Sequence, residues 1–274
     1  MLEQLIYKNH MNEVFEFGKD GIFVDTSELH DYEWQVTKKN DRISALKRGV
    51  VKRKLPVVII CKTEAEGVAA KNRLLEVVEK DALAMKHGKI IVGQYYFRCF
   101  VTKSKKKDYL ITKRYMKLTL TLTSDFPYWV KEETFTFRKL SEDTGGKNLD
   151  FAHGHPFDYS SGMGNKKLNN TGFVPTDFKM IIYGACTDPA VYVAGHLYQV
   201  FCEVKSGEYL TIDSVTKRIY LTAVDGTTTN VFHLRNRENY AFEKMPSGTN
   251  AVIWEGDFGV DIVLLEERSE PKWI

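Results

Sequence analysis

The sequence predicts a mainly β protein of two domains, with a single helix in the first. Three observations carry this reading. Short runs that alternate apolar with polar residues recur along the 274-residue chain, which holds 16 Phe and 14 Tyr, types that suit pleated, half-buried surfaces. Only one stretch combines helical spacing with a capping sequence. The balance of charge also reverses midway: residues 1–140 hold 27 Lys/Arg against 18 Asp/Glu, and residues 141–274 hold 12 against 18. Between them, Ser141 to Thr171 is rich in Gly, Asn, Asp and Ser and has no sustained period, a composition for turns rather than core. The expected division is an α+β domain over 1–140, a loop-rich linker over 141–170 and an all-β domain over 171–274.

In the first domain, Phe15-Glu16-Phe17 and Tyr32-Glu33-Trp34-Gln35-Val36 alternate as half-buried strands do. Leu55 to Cys61 is a denser apolar run, fit for a central strand. Thr63-Glu64-Ala65-Glu66 reads as a capping box, in which the Thr hydroxyl and the third-position Glu satisfy orphan backbone N–H groups. The spacing that follows predicts a helix over 64–86, with Val68, Leu75, Val78, Ala82 and Met85 on its buried face and Gly88 as its left-handed stop. Ile90–Val92 and Tyr95–Val101 bracket a Gly93-Gln94 turn. Leu118 to Thr123 then alternates Leu with Thr, as Thr134 to Phe137 alternates Thr with Phe, one row for a core and the other for solvent or a partner.

The second domain reads as strands separated by turn signals about every ten residues, the pattern of a β-sandwich. Phe178–Tyr183 and Val191–Val193 lie either side of Asp188-Pro189, and Gln199–Val204 and Tyr209–Ile212 either side of Ser206-Gly207. Ile219–Val224 and Thr227–Phe232 flank Asp225-Gly226, a dipeptide favoured in primed hairpin turns. Ala251–Trp254 and Val260–Leu265 close the set.

Several function classes find no support. No apolar run approaches the roughly 18–20 residues of a membrane span, and Met1–Lys8 lacks the basic flank and apolar core of a secretion signal. The four cysteines, at 61, 99, 186 and 202, have no short-spaced pairing and are expected as buried, reduced thiols of a protein made in a reducing cytoplasm. Nucleotide-binding glycine motifs, the nucleophile elbow and the zinc-protease motif are missing from the sequence. His153-Gly154-His155, with Asp150 and Asp158 near, has the residue types for a metal but reads as a polar loop, so neither metal nor cofactor is expected. Glu132-Glu133 and Glu266-Glu267 point to opposite faces of any strand, which leaves no carboxylate pair for glycoside hydrolysis. Two basic stretches stand out. Lys38 to Lys54 holds eight Lys/Arg against one Asp, and Lys103 to Lys107 adds four Lys. Neither is interleaved with aromatics as single-strand binders are, so nucleic-acid binding is not expected, and each reads as a solvated hairpin tip or a protein interface.

One stretch carries a resemblance. Ser124-Asp125-Phe126-Pro127-Tyr128-Trp129, set between two alternating strands, is similar to a segment of the distal tail proteins of long non-contractile-tailed phages of Gram-positive bacteria. The surrounding order of short strands, basic hairpin region, capped helix and Thr-rich strands resembles that family too. So do Phe178 to Gly184 followed by Asp188-Pro189, then Gly207 to Asp213, and the closing Pro271-Lys272-Trp273.

The resemblance implies an N-terminal belt domain that forms a homohexameric ring at the tail tip, followed by a C-terminal galectin-like β-sandwich. It implies a non-enzymatic virion protein assembled in the host cytoplasm. Its partners would be other copies of itself, the major tail tube protein, the tape-measure protein, the tail-associated hub protein and a receptor-binding protein. A glycan-binding sandwich for host recognition is the alternative. Galectin-like sites use His, Asn and Arg near a stacking Trp, and His233, Arg235, Asn236 and Trp254 supply those types in a different order and spacing. A wall hydrolase ranks last, for want of an acid/base pair.

Overall fold

A computed structural model describes residues 4–107, 112–138 and 166–273. It is mainly β with one α-helix among the described residues, and its chain divides into two compact units: Met1–Lys131 with Glu267–Ile274, and Glu132–Glu266. Of the stretch expected as a linker, 141–165 lies outside the described residues, as do His153, His155, Asp150 and Asp158. Lys166–Asn170, the described remainder, is strand.

The first unit begins with β1 (Leu5–Lys8), β2 (Val14–Glu16), β3 (Ile22–Val24), β4 (Gln35–Lys39), β5 (Arg42–Lys47) and β6 (Val51–Ile60). Helix α1 (Glu64–Ala84), β7 (Gly88–Val92), β8 (Tyr95–Lys107), β9 (Tyr115–Ser124) and the start of β10 (Trp129–Phe137) follow, β10 belonging to the second unit from Glu132 onward. All pairings are antiparallel. β6 lies between β3 and β9, and β9 pairs with the second half of β8. The first half of β8 pairs with β7 and with the start of β10, and β7 continues to β1 and β2. β4 and β5 form a separate ribbon. The Leu-Thr alternation of β9 works as the period of two requires: Leu118, Leu120 and Leu122 are buried beside Leu55, Val57 and Ile59 of β6, while Thr119, Thr121 and Thr123 stay partly exposed. Each such buried side chain contributes about 1.5–3 kcal/mol relative to leaving it in water.

Thr63 caps α1 as expected. Its hydroxyl accepts from the Glu66 N–H at 3.2 Å, and the Glu66 carboxylate accepts from the Thr63 N–H at 3.2 Å. The face and the stop differ from expectation. The buried stripe is Gly67, Ala70, Leu74, Val77, Val78 and Asp81, whereas Val68, Ala82 and Met85 are exposed. Counting large apolar residues picked the neighbouring stripe, because the true one includes a glycine, an alanine and a carboxylate. Gly67 is there for closeness: a Cβ would run into the Lys113 carbonyl. The left-handed cap is Met85 (φ 50°), not Gly88. Gly88 opens β7, buried, where a Cβ would collide with the Tyr7 hydroxyl and the Asp81 carboxylate.

That carboxylate ties the N-terminal strands to the helix. Asp81 is fully buried and accepts from the Tyr7 hydroxyl (2.5 Å) and the His10 N–H (2.8 Å), with His10 Nδ1 at 2.6 Å. Burial, then the Asp81 hydrogen bond, pushes the Tyr7 phenol far above its ordinary range. Beside it Asn9 donates to the Val77 carbonyl (3.2 Å), and Lys80 pairs with Glu13 at 2.6 Å.

The second unit adds β11 (Lys166–Asn170), β12 (Asp177–Tyr183), β13 (Cys186–Thr187), β14 (Ala190–Val193), β15 (His196–Gln199) and β16 (Glu203–Val204). β17 (Tyr209–Asp213), β18 (Arg218–Thr222), β19 (Thr228–Asn230), β20 (Gly248–Trp254) and β21 (Gly259–Arg268) complete it, with a 3-10 turn at Phe232–Leu234. One antiparallel sheet runs β19-β18-β17-β12-β21 and another β11-β20-β14-β15. They share one core. Phe178, Met180 and Ile182 of β12 and Val260 and Ile262 of β21 meet Leu168, Val191, Val193 and Trp254 from the other sheet. Two strands are shorter than the sequence predicts. Gln199–Val204 is interrupted, since Val200 makes only an isolated bridge to Arg235 before β16 pairs with β13. Thr227–Phe232 ends in the 3-10 turn, whose entry Asn230 fixes by accepting the Phe232 N–H at 2.9 Å. The cysteines are free; Cys99 and Cys186 are buried and Cys61 and Cys202 partly so. Burial pushes the Cys99 thiol up to about 12 and Cys186 up to about 11.

Candidate interaction surface

The β4–β5 ribbon is exposed along its whole length except for a partial covering at Ala45. The alternation around Trp34 predicts a half-buried strand, but among the described residues the ribbon pairs with nothing else, so neither side gains a covering layer from them. Register sorts its side chains. Val36 opposes Leu46 and Lys38 opposes Ile43, which puts Val36, Leu46 and Ile43 on one side with Lys38 as its single cation; Lys39 opposes Arg42 and Gln35 opposes Lys47 on the other. Val36, Ile43 and Leu46 are 49%, 64% and 53% exposed. The ribbon is therefore an arm with an apolar face and a cationic face.

Its root is a nest of arginines and aromatic rings built from the segment that carries the family resemblance. Ser124, buried at the end of β9, accepts the Phe126 N–H (3.1 Å) and donates to the Phe126 carbonyl (2.8 Å), making a tight turn. The turn projects Phe126 under the Arg98 guanidinium (4.6 Å) and Tyr128 under that of Arg48 (4.9 Å). Arg48, just after β5, also lies over Trp34, just before β4, at 5.5 Å, so both ends of the ribbon close on Tyr128. Deeper in, Trp129 is fully buried and donates its indole N–H to the Leu29 carbonyl (3.2 Å). Arg53 donates to the same carbonyl (2.5 Å) and covers the Phe97 ring at 4.4 Å.

Electrostatics in this nest are costly. Burial, and then the like charge of Arg48, lower Arg53 to about 10, and burial lowers Arg48 as well. All three guanidinium nitrogens of Arg48, and one of Arg53, are buried without a hydrogen-bond acceptor among the described residues. Cation–π attraction, about 2 kcal/mol when desolvated, is what holds them. The first unit closes with Trp273 stacked on His30 at 4.2 Å.

The four residues singled out for sugar binding do not form one surface. His233, Arg235 and Asn236 line an open cleft of about 450 Å³ with Phe201 and Glu238. Arg235 is turned back on its own segment, donating to the Phe232 carbonyl (3.0 Å) and covering that ring at 3.9 Å, and Asn236 donates to Gln199 (3.0 Å). Trp254 is 2% exposed, donates its N–H to the Phe258 carbonyl (3.0 Å) and meets Phe137 edge-on in the core. Among the described residues no group of three or more His, Cys, Asp and Glu could hold a metal ion, and no helix is long and apolar enough to cross a membrane.

No family model and no curated protein sequence matches the chain. Solved structures do. The fold is similar to the SPP1 Dit (gp 19.1) protein, described as a paradigm of the hub adsorption apparatus in Gram-positive infecting phages, with a TM-score of 0.59 and 10% identity. That likeness covers 98% of this chain and 100% of the other. The baseplate of phage P2 in its activated conformation, with calcium or with strontium, also matches, at a TM-score of 0.63 and 12% identity over 99% of this chain and 100% of that one. The chain thus has the fold of phage distal-tail and baseplate proteins.

Proposed function

We propose that the chain is a structural virion protein that forms a homohexameric ring at a phage tail tip. The ring joins the tail tube and its tape-measure protein to the tail-associated hub and to receptor-binding components, without catalysis, and is assembled in the host cytoplasm. The first unit acts as the belt and the second as a galectin-like sandwich facing the adsorption apparatus. The observation that carries this is the end-to-end likeness to the Dit protein, which spans both units rather than one common domain. The β4–β5 arm supports it physically. A closed ring needs a head-to-tail interface, and an anchored ribbon with an apolar side is suited to lie on a neighbouring copy.

Size exclusion with light scattering, at low and high salt, is the test. A particle of six 31.5 kDa subunits is expected, with a central hole in negative-stain images, and Ile43→Asp with Leu46→Asp should reduce it to monomer while circular dichroism stays unchanged. Monomer at every concentration, alone and with the cognate hub protein, refutes the ring.

A further inference from the structure

We infer that the outer face of the β6–β9–β8 sheet binds duplex nucleic acid through its phosphate backbone, without reading sequence. The inference stands apart from the ring. Two basic stretches some fifty residues apart in sequence become one surface here. Lys52 and Lys54 of β6 oppose Thr123 and Thr121 of β9, whose other neighbour β8 places Lys103 opposite Thr121, Lys105 opposite Thr119 and Lys107 opposite Lys117. Opposed residues point to the same side, so a row of threonines runs between two rows of lysines, with Lys117 at its end. All six lysines are exposed. Lys54 is in an ion pair with Glu28 at 3.1 Å.

A bulge makes this surface. In β8 the residues Phe97, Cys99 and Val101 face the core, and unbroken alternation would send Lys103, Lys105 and Lys107 after them. The register shifts between Val101 and Lys103, and the extra residue, Thr102, bonds its hydroxyl to that of Thr123 at 2.6 Å. The whole lysine series is thereby turned outward.

Chemistry selects the partner. Protein interfaces are depleted of Lys and anchored by aromatics, whereas nucleic-acid interfaces are polar and strongly positive. The aromatics on this face lie at its edges, Phe100 engaged with His87 at 4.3 Å, Tyr115 opposite Ile60 and Phe23 opposite Val58, so the lysine rows themselves hold no platform for unpaired bases. Alternate residues of a strand are about 6.8 Å apart, equal to the axial rise of two base pairs, each strand of the duplex carrying one phosphate per roughly 3.4 Å of helix axis. Hydroxyl groups such as those of the threonine row are also common phosphate donors.

Fluorescence anisotropy of the full chain with a labelled 20-base-pair duplex, between 50 and 200 mM salt, tests it. With five lysines outside the Glu28 pair, log K against log salt should fall with a slope of about −4.5, roughly a 500-fold loss over that range. Lys103→Gln, Lys105→Gln and Lys107→Gln together should flatten the slope by about 2.7, while the same three changed to Arg keep it. Lys39→Gln, Arg42→Gln and Lys47→Gln on the arm should leave it unaltered. No binding at 50 mM salt, a loss that follows the arm instead, or competition by polyglutamate as strong as by duplex would overturn the inference; the last would make the partner an acidic protein.

Discussion

The end of α1 offers a sharp test, because two residues three positions apart have opposite roles. Gly88→Ala adds a methyl group where the Tyr7 hydroxyl and the Asp81 carboxylate already meet, both buried. No flexible surface chain can yield. Overpacking in a filled core costs about 1–3 kcal/mol, and parting the Tyr7–Asp81 bond, whose acceptor is charged, costs about 1.5–3 kcal/mol more. A total near 4 kcal/mol follows, a shift of more than 10 °C in the melting of a unit this size. Met85→Gly should do the reverse. Met85 is 79% exposed and left-handed at φ 50°, so glycine removes a strain of about 1 kcal/mol and loses little packing. Urea unfolding of the full chain, followed by tryptophan fluorescence with each unit's transition fitted separately, measures both. A Gly88→Ala change below 0.5 kcal/mol, on the scale of ordinary surface substitutions, would show that the Tyr7–Asp81 contact is not tight. Where the full loss is seen, Tyr7→Phe in the Gly88→Ala background should recover part of it, since it removes one of the two colliding atoms.

Three further outcomes are expected. Asp177 is pushed up by burial but held below the usual carboxylate range by Lys244 at 2.7 Å and by the Ser214 hydroxyl; a depressed carboxylate stabilises the fold above its unfolded value near 3.9 and ceases to as pH falls through the folded value. Urea midpoints of the second unit should therefore drop below about pH 4, and less so in Lys244→Met. Trp254→Ala should destabilise the second unit by about 3–5 kcal/mol, read by circular dichroism in urea because Trp254 is the one tryptophan of that unit, so glycan arrays on the full chain should use His233→Ala and Asn236→Ala instead, and no competable hit is expected. Native Cys99 should react with a thiol reagent only as fast as the first unit opens, because burial keeps it both inaccessible and protonated; reaction in seconds at pH 8 would contradict its placement.

Local, periodic features were legible in the sequence: the Leu118 to Thr123 alternation, the Thr63–Glu66 cap, the Gly93-Gln94 turn, and the place of the Asp225-Gly226 turn, though not its primed type, since only Gly226 is left-handed and the Gly226 N–H donates to the Ala223 carbonyl. Each is set by residues within one or two turns of one another. What was hidden depends on distant partners. The helix face was missed because Gly67 and Asp81 count against burial until the Lys113 carbonyl and the Tyr7 hydroxyl are known to meet them. Trp254 has the residue type of a sugar platform, and only the two-sheet core shows it buried. The bulge at Thr102 leaves no trace in composition, yet it decides which side of the sheet four of the chain's lysines reach. The arginine nest draws on Tyr32, Trp34, Arg48, Arg53, Arg98 and the 124–129 turn, and no window of sequence contains them together.

The nest also shows why the residue pattern of that turn is structural rather than chemical. A buried guanidinium without an acceptor is worse for stability than an apolar side chain of the same shape. Arg48 nevertheless sits where it links Trp34, Tyr128 and Tyr32, the two ends of the arm and the turn beneath them. An apolar residue there would fill the space but would not favour ring faces over ring edges, whereas a cation does, through the quadrupole of each ring. Arg48 at one end of the β4–β5 arm and Trp34 at the other are thereby both tied to Tyr128. The stability given up at Arg48 therefore goes into the pose of a ribbon that gains no second layer from the described residues.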